Sequence, residues 1–420
     1  MNNSVQQIPV GYKNTEIGFV PEEWVEKSFG DICTVNQGLQ IPIEERKKTQ
    51  VEGSKVYITI QYLNSLDLPE FISTYTPSVC CDESDILMTR TGNTGIVVHG
   101  VSGVFHNNFF KIRFDRKKIN DLFLVYVLRS HRCQKTILEK AGTSTIPDLN
   151  HGDFYSIKLA LPDYKEQTAI ANALSDVDAL IQELEKLVAK KQAIKTATMQ
   201  QLLTGRTRLP QFAHHPDGRK KGYKPSELGE IPEDWEVLSL GTASSFSNGR
   251  AYALHEWETA GTPVIRLQNL TGRGEDYYYS NMQLPERQYC QEGDLLFMWS
   301  ATFGPVIWKG PKAIYHYHIW KIICNSGFSQ AFMLHLLDDM TEKLKSGSSS
   351  GGTMLHVTKH KMETTKAAFP VFQEQAAIGT LLDDMDEEIR ALENRLNKTR
   401  QIKQGMMQEL LTGQTRLGNV

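Results

Sequence analysis

The sequence predicts an α/β (α+β) fold in which two globular domains alternate with two long helices that pair as an antiparallel coiled coil, a pseudo-twofold internal repeat. Three observations support this prediction. Two motifs occur twice, each half contains short β-branched and aromatic runs punctuated by glycine, and each half ends in a long heptad pattern. A chain of 420 residues is also too long for one ordinary domain and suits two or three.

The repeated motifs mark the beginning and the end of each half. Residues 11–24 (GYKNTEIGFVPEEW) return as residues 222–235 (GYKPSELGEIPEDW), with eight of fourteen positions identical. Residues 199–209 (MQQLLTGRTRL) return as residues 407–417 (MQELLTGQTRL), with nine of eleven identical. We call the first pair the opening motifs and the second pair the closing motifs. Such a repeat indicates two related structural units in one chain.

Between these motifs, each half shares a skeleton of three predicted strands followed by a helix and a Gly/Ser/Thr loop. The paired strands are residues 56–61 and 263–268, 85–88 and 294–297, and 109–112 and 319–322. Short runs of this composition followed by helix are typical of a mixed α/β domain. We therefore predict one globular domain over residues 1–160 and another over residues 209–368.

Heptad spacing predicts the long helices within residues 161–208 and 369–420. Apolar residues recur at alternating spacings of four and three, a seam that favours a coiled coil. Pro162 and Pro370 precede the two patterns, and Gly205 and Gly413 follow them, as expected at helix starts and ends. The predicted seam consists of Ile170, Leu174, Val177, Ile181, Leu184, Val188, Ile378, Leu382, Met385, Ile389, Leu392 and Leu396.

Composition excludes several classes of protein. With 40% hydrophobic and 23% charged residues, the chain is globular rather than disordered. Its net charge of −3 argues against a strongly basic nucleic-acid binder, although it permits local basic patches. We find no run of about 18 apolar residues, no signal-peptide pattern at the start and no CxxC spacing among six cysteines. These observations lead us to expect a soluble cytoplasmic protein.

The combined order of these features resembles the specificity subunits of type I restriction–modification enzymes. The opening motifs, the Pro-x-x-x-x-Gln-x-x-Ile helix starts at residues 162–170 and 370–378, and the Leu-Leu-Thr-Gly helix ends carry this resemblance over nearly the whole chain. It implies two target-recognition domains, each reading one half of a split double-stranded DNA site. It also implies that the paired helices hold these domains apart and dock two adenine-methyltransferase subunits. Restriction/translocase subunits would join through that complex.

The sequence contains no catalytic motif of its own. It has no GxGxxG or Walker A loop and no Asn-Pro-Pro-Tyr methylation signature, so we expect no cofactor. The resemblance assigns S-adenosylmethionine, ATP and Mg²⁺ to partner subunits. Residues 162–165 (PDYK) suggest a nuclease motif, but the repeat equivalents 370–373 (PVFQ) lack its carboxylate and lysine, which favours a helix start.

Other conspicuous residues have structural explanations that we prefer. The histidines His214, His215, His316 and His318 lack partners at metal-ligand spacing, so we expect no metal site. Cys81 and Cys290 stand at equivalent positions before a strand and are predicted to be core residues. Trp24 and Trp235 of the opening motifs are expected to pack against their domains rather than stack on DNA. The basic residues between 206 and 221 suit a solvated linker better than a backbone grip, because proline and glycine interrupt them.

Candidate DNA-binding residues should differ between the halves, since a split site generally has two different half-sites. Arg, Asn and Gln suit base edges, while Ser and Thr suit phosphates; the alternative for each residue is an ordinary solvated loop. In the first domain, the candidates are Gln61, Arg90, Thr91, Asn93, Thr94, Asn107, Asn108, Thr143 and Ser144, with His106 beside them. In the second, they are Arg266, Gln268, Ser300, Thr302, His316, His318 and Ser348.

A rival interpretation from another class remains open at this point. A coiled-coil adaptor that joins two protein-binding domains, without DNA recognition, would also account for the repeat and for the mild acidity. Diverged domains on spacers of equal length favour reading of a split DNA site instead.

Overall fold

Two helices of 39 residues each, Tyr164–Leu202 and Phe372–Leu410, are the longest elements of the computed structural model and confirm the predicted long helices. The structure describes residues 8–65, 68–142, 147–274, 276–300, 302–347 and 357–417. They form two units: unit 1 comprises residues up to 185 together with those from 395 onward, and unit 2 comprises residues 186–394. Both long helices therefore contribute to both units.

Unit 1 is built on two four-stranded sheets. The first has the strand order Phe71–Ile72, Lys55–Ile58, Gly103–Phe105, Cys80–Cys81, and the second the order Cys33–Gln37, Phe109–Phe114, Ile86–Thr89, Val97–Val98. A hairpin (Tyr12–Thr15, Gly18–Pro21) and a two-stranded ladder (Val25–Ser28, Lys158–Leu161) complete the described strands. The shorter α-helices are Phe29–Ile32, Ile60–Asn64, Asp121–Arg129, His131–Ala141 and His151–Tyr155, and the 3₁₀ turns are Ile43–Glu45 and Pro77–Val79.

Unit 2 repeats this plan with different sequences. Its four-stranded sheets have the orders Ser244–Asn248, Ile319–Cys324, Leu295–Ser300, Thr302–Ile307 and Tyr278–Ser280, Thr262–Ile265, Ala313–Tyr315, Tyr289–Cys290. The hairpin is Tyr223–Ser226 with Gly229–Pro232, and the two-stranded ladder is Glu236–Ser239 with Lys366–Phe369. The shorter α-helices are Leu240–Ala243, Leu267–Leu270, Gln330–Gly347 and Lys359–Thr364, and the 3₁₀ turns are Pro210–Phe212, Leu254–Glu256 and Glu286–Gln288.

Most described strand pairs are antiparallel, which makes each unit an α+β domain. One pair in each unit is parallel, with Val104 opposite Tyr57 in unit 1 and Val264 opposite Ile314 in unit 2. The shared exception shows that the two divergent sequences adopt the same strand connections. This agreement confirms the repeated mixed fold that the sequence predicts.

A buried glutamine explains the Pro-x-x-x-x-Gln pattern at the start of each long helix. Gln167 donates to the carbonyls of Pro162 (3.0 Å) and Lys118 (3.1 Å) and accepts from the Asn120 backbone N–H (2.9 Å). Gln375 repeats this arrangement with the carbonyls of Pro370 (2.8 Å) and Gly327 (3.3 Å) and with the Ser329 N–H (2.9 Å). Both amides are buried with their hydrogen bonds made, so they fasten each long helix to the helix of its own domain.

Ion pairs in both units show that the segments of the two long helices run antiparallel. In unit 1, Lys403 pairs with Asp178 (2.5 Å) and Arg400 with Glu185 (2.7 Å). In unit 2, Lys191 pairs with Glu388 (2.6 Å) and Lys195 with Asp386 (2.6 Å). In each case the later residue of one helix meets the earlier residue of the other. Of the predicted seam, Ile170, Leu174, Leu184, Ile378, Leu382, Ile389 and Leu396 are buried, and Val177, Ile181, Val188, Met385 and Leu392 are half-buried.

Each closing motif packs against the opening motif within its unit. In unit 1, the Tyr12 hydroxyl donates to the Gly413 carbonyl at 2.9 Å, and Leu410 and Leu411 join the core that holds Trp24. Gly413 has φ +72°, and a Cβ there would lie 2.5 Å from Pro21, so both backbone conformation and space require glycine. The repeated glycines therefore mark a close contact as well as a helix end.

Unit 2 forms the same contact with the other copy of each motif. The Tyr223 hydroxyl donates to the Gly205 carbonyl at 3.2 Å, and Leu202 and Leu203 enter the core around Trp235. Trp24 and Trp235 are almost fully buried, as predicted, and each indole N–H donates to a glutamate at the start of a long helix. The motifs recur in sequence because each unit needs one of each.

Candidate nucleic-acid interface

In unit 1, the polar turn after strand Ile86–Thr89 is held by contacts within the chain. Arg90 forms an ion pair with Asp148 (2.8 Å) and lies over the Phe110 ring, with its Cζ 5.4 Å from the ring centroid. Thr91 donates to the other oxygen of Asp148 at 2.5 Å. Thr94 is buried and donates to the carbonyls of Arg90 (2.9 Å) and Pro147 (3.0 Å). Arg90, Thr91 and Thr94 therefore position the turn.

The remaining described candidates of unit 1 lie nearer to solvent. The side chains of Asn93 and Gln61 are exposed. Asn107 donates to the Gln40 side chain at 3.1 Å, and the Asn108 carbonyl accepts from the Arg90 backbone N–H at 2.7 Å. The structure thus joins residues 106–108 to the Arg90 turn through the backbone. The candidates Thr143 and Ser144, like Ser348 of the second domain, lie outside the described residues.

His106 packs beside the candidate residues of unit 1. Its ring centroid lies 5.7 Å from that of Tyr57, and its Nδ1 accepts from the Asn108 backbone N–H at 3.1 Å. Burial lowers the pKa of His106, and the nearby positive charge of Arg46 lowers it further. The imidazole is therefore neutral at pH 7 and offers no cation to a phosphate.

In unit 2, the corresponding region is a dense group of aromatic and basic side chains. Arg266 stacks over Tyr278, with its Cζ 4.1 Å from the ring centroid, and lies 5.8 Å from the centroid of Trp257. The Trp257 ring stacks in turn on Tyr252 at 4.8 Å. The Arg250 guanidinium lies 4.5 Å from the Tyr252 centroid. We call these five side chains, Arg250, Tyr252, Trp257, Arg266 and Tyr278, the arginine–aromatic cluster.

A glycine contact brings Arg250 to this cluster. A Cβ at Gly249 would lie 2.2 Å from the Tyr315 carbonyl oxygen, so only glycine allows the two backbones to approach. The neighbouring Arg250 N–H then donates to that same carbonyl at 3.1 Å, and the Arg250 carbonyl accepts from the Tyr317 N–H at 3.0 Å. Gly38 makes the equivalent contact in unit 1, where a Cβ would lie 2.0 Å from the Phe105 carbonyl oxygen.

His316 and His318 border the arginine–aromatic cluster. The His316 ring lies 6.5 Å from Trp257 and 5.1 Å from His318, and His318 lies 5.2 Å from Trp299. Burial lowers the pKa of His316 to about 4, and the charges of His318 and Arg266 act in the same direction. His316 is therefore neutral at pH 7, and Arg250 and Arg266 carry the fixed positive charge of the cluster.

The other candidates of unit 2 have different surroundings. Ser300 is buried and stands opposite Thr302 in the hairpin of strands Leu295–Ser300 and Thr302–Ile307, while Gln268 is half-buried on the short helix after Arg266. The structure thus brings Arg266, His316 and His318 together. The candidates predicted from the sequence do not include Arg250, Tyr252, Trp257 and Tyr278. The signal available for the first three was the group of aromatic and basic residues between strands Ser244–Asn248 and Thr262–Ile265.

Neither a metal centre nor a membrane segment appears in the described part of the chain. No group of three or more His, Cys, Asp or Glu side chains there has an arrangement that would hold a metal ion. His215, a residue of the histidine pair, lies 2.8 Å from Glu233. Among the described helices, none is long and apolar enough to span a membrane.

Comparison with known proteins identifies a repeated family domain. The family described as "Type I restriction modification DNA specificity domain" matches residues 21–196 and again residues 232–403. The chain is 27% identical to the type I restriction enzyme MjaVIII specificity subunit of Methanocaldococcus jannaschii, covering 96% of this chain and 95% of that protein. It is also 27% identical to the putative MjaX specificity subunit of the same organism, covering 97% of each.

A solved structure shares the fold at low sequence identity. The crystal structure of a type I restriction-modification S subunit from M. genitalium superposes with a TM-score of 0.57 and 16% identity, over 92% of this chain and 96% of that one. The likeness supports the two-domain, two-helix architecture over almost the full length of both chains.

Proposed function

Because the chain belongs to the family of type I restriction-modification DNA specificity proteins, we propose that it is the specificity subunit of such a complex and reads a bipartite DNA target, one half-site per domain. The observation that carries this proposal is a contrast between the units. They share strand order and the Gly38/Gly249 backbone contact, yet differ in the polar side chains beside it. Thr59 of unit 1 stands where unit 2 has Arg266. A common scaffold with different side chains suits two readers of different sequences.

We assign the chemistry of the complex to other subunits. The sequence contains no methyl-donor or nucleotide-binding loop, and its relatives are named specificity subunits. S-adenosylmethionine, ATP and Mg²⁺ would accordingly be bound by methyltransferase and restriction subunits, and this chain would need no cofactor. An adaptor without DNA recognition is not favoured, because the family matched by both halves is a DNA specificity domain. The proposed function places the protein in the cytoplasm, with the DNA.

Two grooves that share repeat-equivalent lining residues support docking of two copies of one partner subunit. In unit 1, a groove is lined by Lys158 and Ala160 of the two-stranded ladder and by Leu411 and Thr412 of the closing motif. In unit 2, Lys366, Ala368, Leu203 and Thr204 line a groove at the repeat-equivalent positions. Since repeated surfaces of one chain fit repeated copies of a partner, we propose two methyltransferase subunits per chain, with restriction subunits joining through that assembly.

The test is reconstitution with the methyltransferase subunit encoded with this chain. With S-adenosylmethionine, the complex should methylate adenine within a split sequence that sequencing of methylated bases in the host can identify. The chain alone should transfer no methyl group and cleave neither DNA nor ATP. Methyl transfer by the purified chain would contradict the non-catalytic assignment. A complex that forms but shows no sequence preference would instead favour the adaptor.

A further inference from the structure

We infer that Arg266 reads a guanine in the half-site bound by unit 2, with its guanidinium held in position by Trp257 and Tyr278. This inference rests on the proposed function and adds to it the residue and the base. Guanine offers two acceptors, O6 and N7, on its major-groove edge. Arginine matches both with two parallel N–H donors.

The geometry holds the guanidinium in one orientation. Arg266 lies 4.1 Å from the Tyr278 centroid and 5.8 Å from that of Trp257, while these two rings are 4.6 Å apart. Tyr252 stacks on Trp257 and extends the support. Contacts between a cation and aromatic faces are attractive and fix the plane of the guanidinium, so little side-chain freedom remains to be lost on binding. Arg266 is half-buried and Tyr278 is 40% exposed, so the stack lies at the surface of its unit.

The backbone N–H of Arg266 donates to the Asn269 side chain at 2.9 Å, but its guanidinium makes no hydrogen bond within the described part of the chain. Its Nε is covered but has no acceptor there, and no described carboxylate lies within 4.0 Å. Arg250 of the same cluster also has a covered nitrogen without an acceptor, Nη1, but its charge is paired with Glu256 at 2.5 Å, and Arg46 of unit 1 is paired with Glu70 at 3.0 Å. A covered donor without an acceptor costs free energy, and native structures keep few of them. A ligand that supplies acceptors would account for this one.

The surroundings of Arg266 favour a base edge over a phosphate. Phosphate contacts are typically made by several solvated cations that follow the backbone. Here His316 is neutral at pH 7 and the charge of Arg250 is balanced by Glu256, which leaves Arg266 as the unbalanced cation of the described cluster. A single guanidinium fixed between aromatic rings selects its acceptors by the geometry of its two parallel N–H donors as well as by charge. In unit 1, the equivalent Thr59 is buried and caps the helix Ile60–Asn64, so this reader is specific to unit 2.

The first experiment compares the assembled complex containing the natural chain with complexes containing Arg266→Lys or Arg266→Gln. DNA duplexes would carry every single-base change in both halves of the methylated target. We expect each variant to lose discrimination at one G·C pair of one half-site, by about 5- to 140-fold. That range is the 1–3 kcal/mol of a bidentate pair converted at 1.4 kcal/mol per tenfold. Arg390→Lys, at an exposed position on the long helix in unit 2, is the matched control and should change no base preference.

The second experiment leaves the protein unaltered and therefore does not depend on the folding of a variant. Each guanine of the target is replaced singly by 7-deazaguanine, which lacks the N7 acceptor. One position should weaken binding of the natural complex several-fold, and the same position should have much less effect on the Arg266→Gln complex. Absence of any sensitive guanine would overturn the inference.

The remaining outcomes separate this inference from the function on which it rests. If the natural complex reads a split target but Arg266→Gln keeps every base preference, the inference alone is wrong. If the Arg266 variants bind all DNA sequences more weakly by the same factor, and the salt slope falls by about one, the contact is to a phosphate. That result would also overturn the inference. If the natural complex recognises no split target, the proposed function and the inference are wrong together. In the variant complexes, an unaltered preference for the other half-site serves as the internal control for folding.

Discussion

Arg208 and Glu374 form a buried two-point ion pair, in which Nε and Nη2 of the guanidinium each lie 2.5 Å from a carboxylate oxygen. The side chains are only 6% and 1% exposed. Arg208 lies in the first closing motif and Glu374 in the first turn of the second long helix, so this pair joins the two repeats within unit 2. Unit 1 has the counterpart, Arg416 with Glu166, at 2.6 and 2.9 Å, but there the arginine is 39% exposed.

Because the two ion pairs differ in burial, replacing the arginine of each by methionine should lower the free energy of unfolding by different amounts. Arg208→Met leaves the buried Glu374 carboxylate with the Trp235 indole N–H but without its charged partner, and should lower the free energy of unfolding by about 3–5 kcal/mol. Arg416→Met, the matched control, should lower it by about 1 kcal/mol or less, because water screens the more exposed pair. Urea denaturation followed by tryptophan fluorescence would measure both. Equal losses for the two variants would show that burial does not set the strength of these pairs.

Ile389 tests the seam of the long helices. Ile389→Asp places a charge at a site that is 5% exposed, and the expected loss is several kcal/mol together with failed assembly with the methyltransferase subunit. Asn394→Asp adds the same charge at an exposed position on the same helix and should assemble normally. Size-exclusion chromatography of the co-expressed subunits distinguishes the two results. Normal assembly of the Ile389 variant would mean that the seam is not needed for docking.

Asn93 tests whether unit 1 reads its own half-site. Its side chain is exposed in the turn that Arg90, Thr91 and Thr94 hold in place, so Asn93→Ala should leave the fold intact. We expect a changed base preference in one half-site and an unaltered preference in the other, measured by sequencing the methylated targets. Arg90→Ala should reduce thermal stability as well, because it releases Asp148. A simultaneous change in both half-sites would contradict the assignment of one reader to each half.

The long helices provide a test of target spacing. One heptad inserted after Lys191 and another after Ile389 would stay in register, because Lys191 pairs with Glu388. Seven residues add about 10 Å of helix, or roughly three base pairs at 3.4 Å each. Since B-DNA turns once in 10–10.5 base pairs, the groove also rotates by about 100°, and affinity should fall.

Any target still methylated should keep both half-site sequences and have a longer gap between them. Sequencing of methylated bases in cells that carry the variant would measure that gap. An unchanged gap at full activity would show that the helices do not set the spacing, while new half-site sequences would show that they take part in reading bases.

Much of the fold is predictable because its signals are local. Heptad spacing over residues 170–188 and again over residues 378–396 predicts both long helices, since each repeat of the pattern involves residues only three or four positions apart. The opening and closing motifs predict two equivalent units because closely similar segments fold alike. The predicted domain boundaries at residues 160, 208 and 368 stay a prediction.

The candidate site was less accessible to sequence reasoning. Arg266 and His316 are candidates because Arg266 lies in the predicted strand 263–268 and His316 lies just before the predicted strand 319–322, but Arg250 and Trp257 are not among the predicted candidates because they lie in an irregular segment without periodicity. Arg90 has the residue type expected of a base reader, yet its guanidinium is paired with Asp148, 58 positions away in the sequence. Residue type and position after a strand do not reveal such a partner. The candidate DNA contacts therefore stay predictions.

The sequence by itself determined the repeat, the two long helices and the family to which the chain belongs, because these depend on local periodicity and on motif identity. Only the tertiary structure decided that the second closing motif packs against the first opening motif, as in the bond from Tyr12 to Gly413 across 401 positions. It also decided which arginines are paired and that Arg266 lies among aromatic rings. The physical reason is that burial and hydrogen bonding at these sites depend on segments that are far apart in the chain. The residue pattern within one segment does not encode which distant segment it will contact.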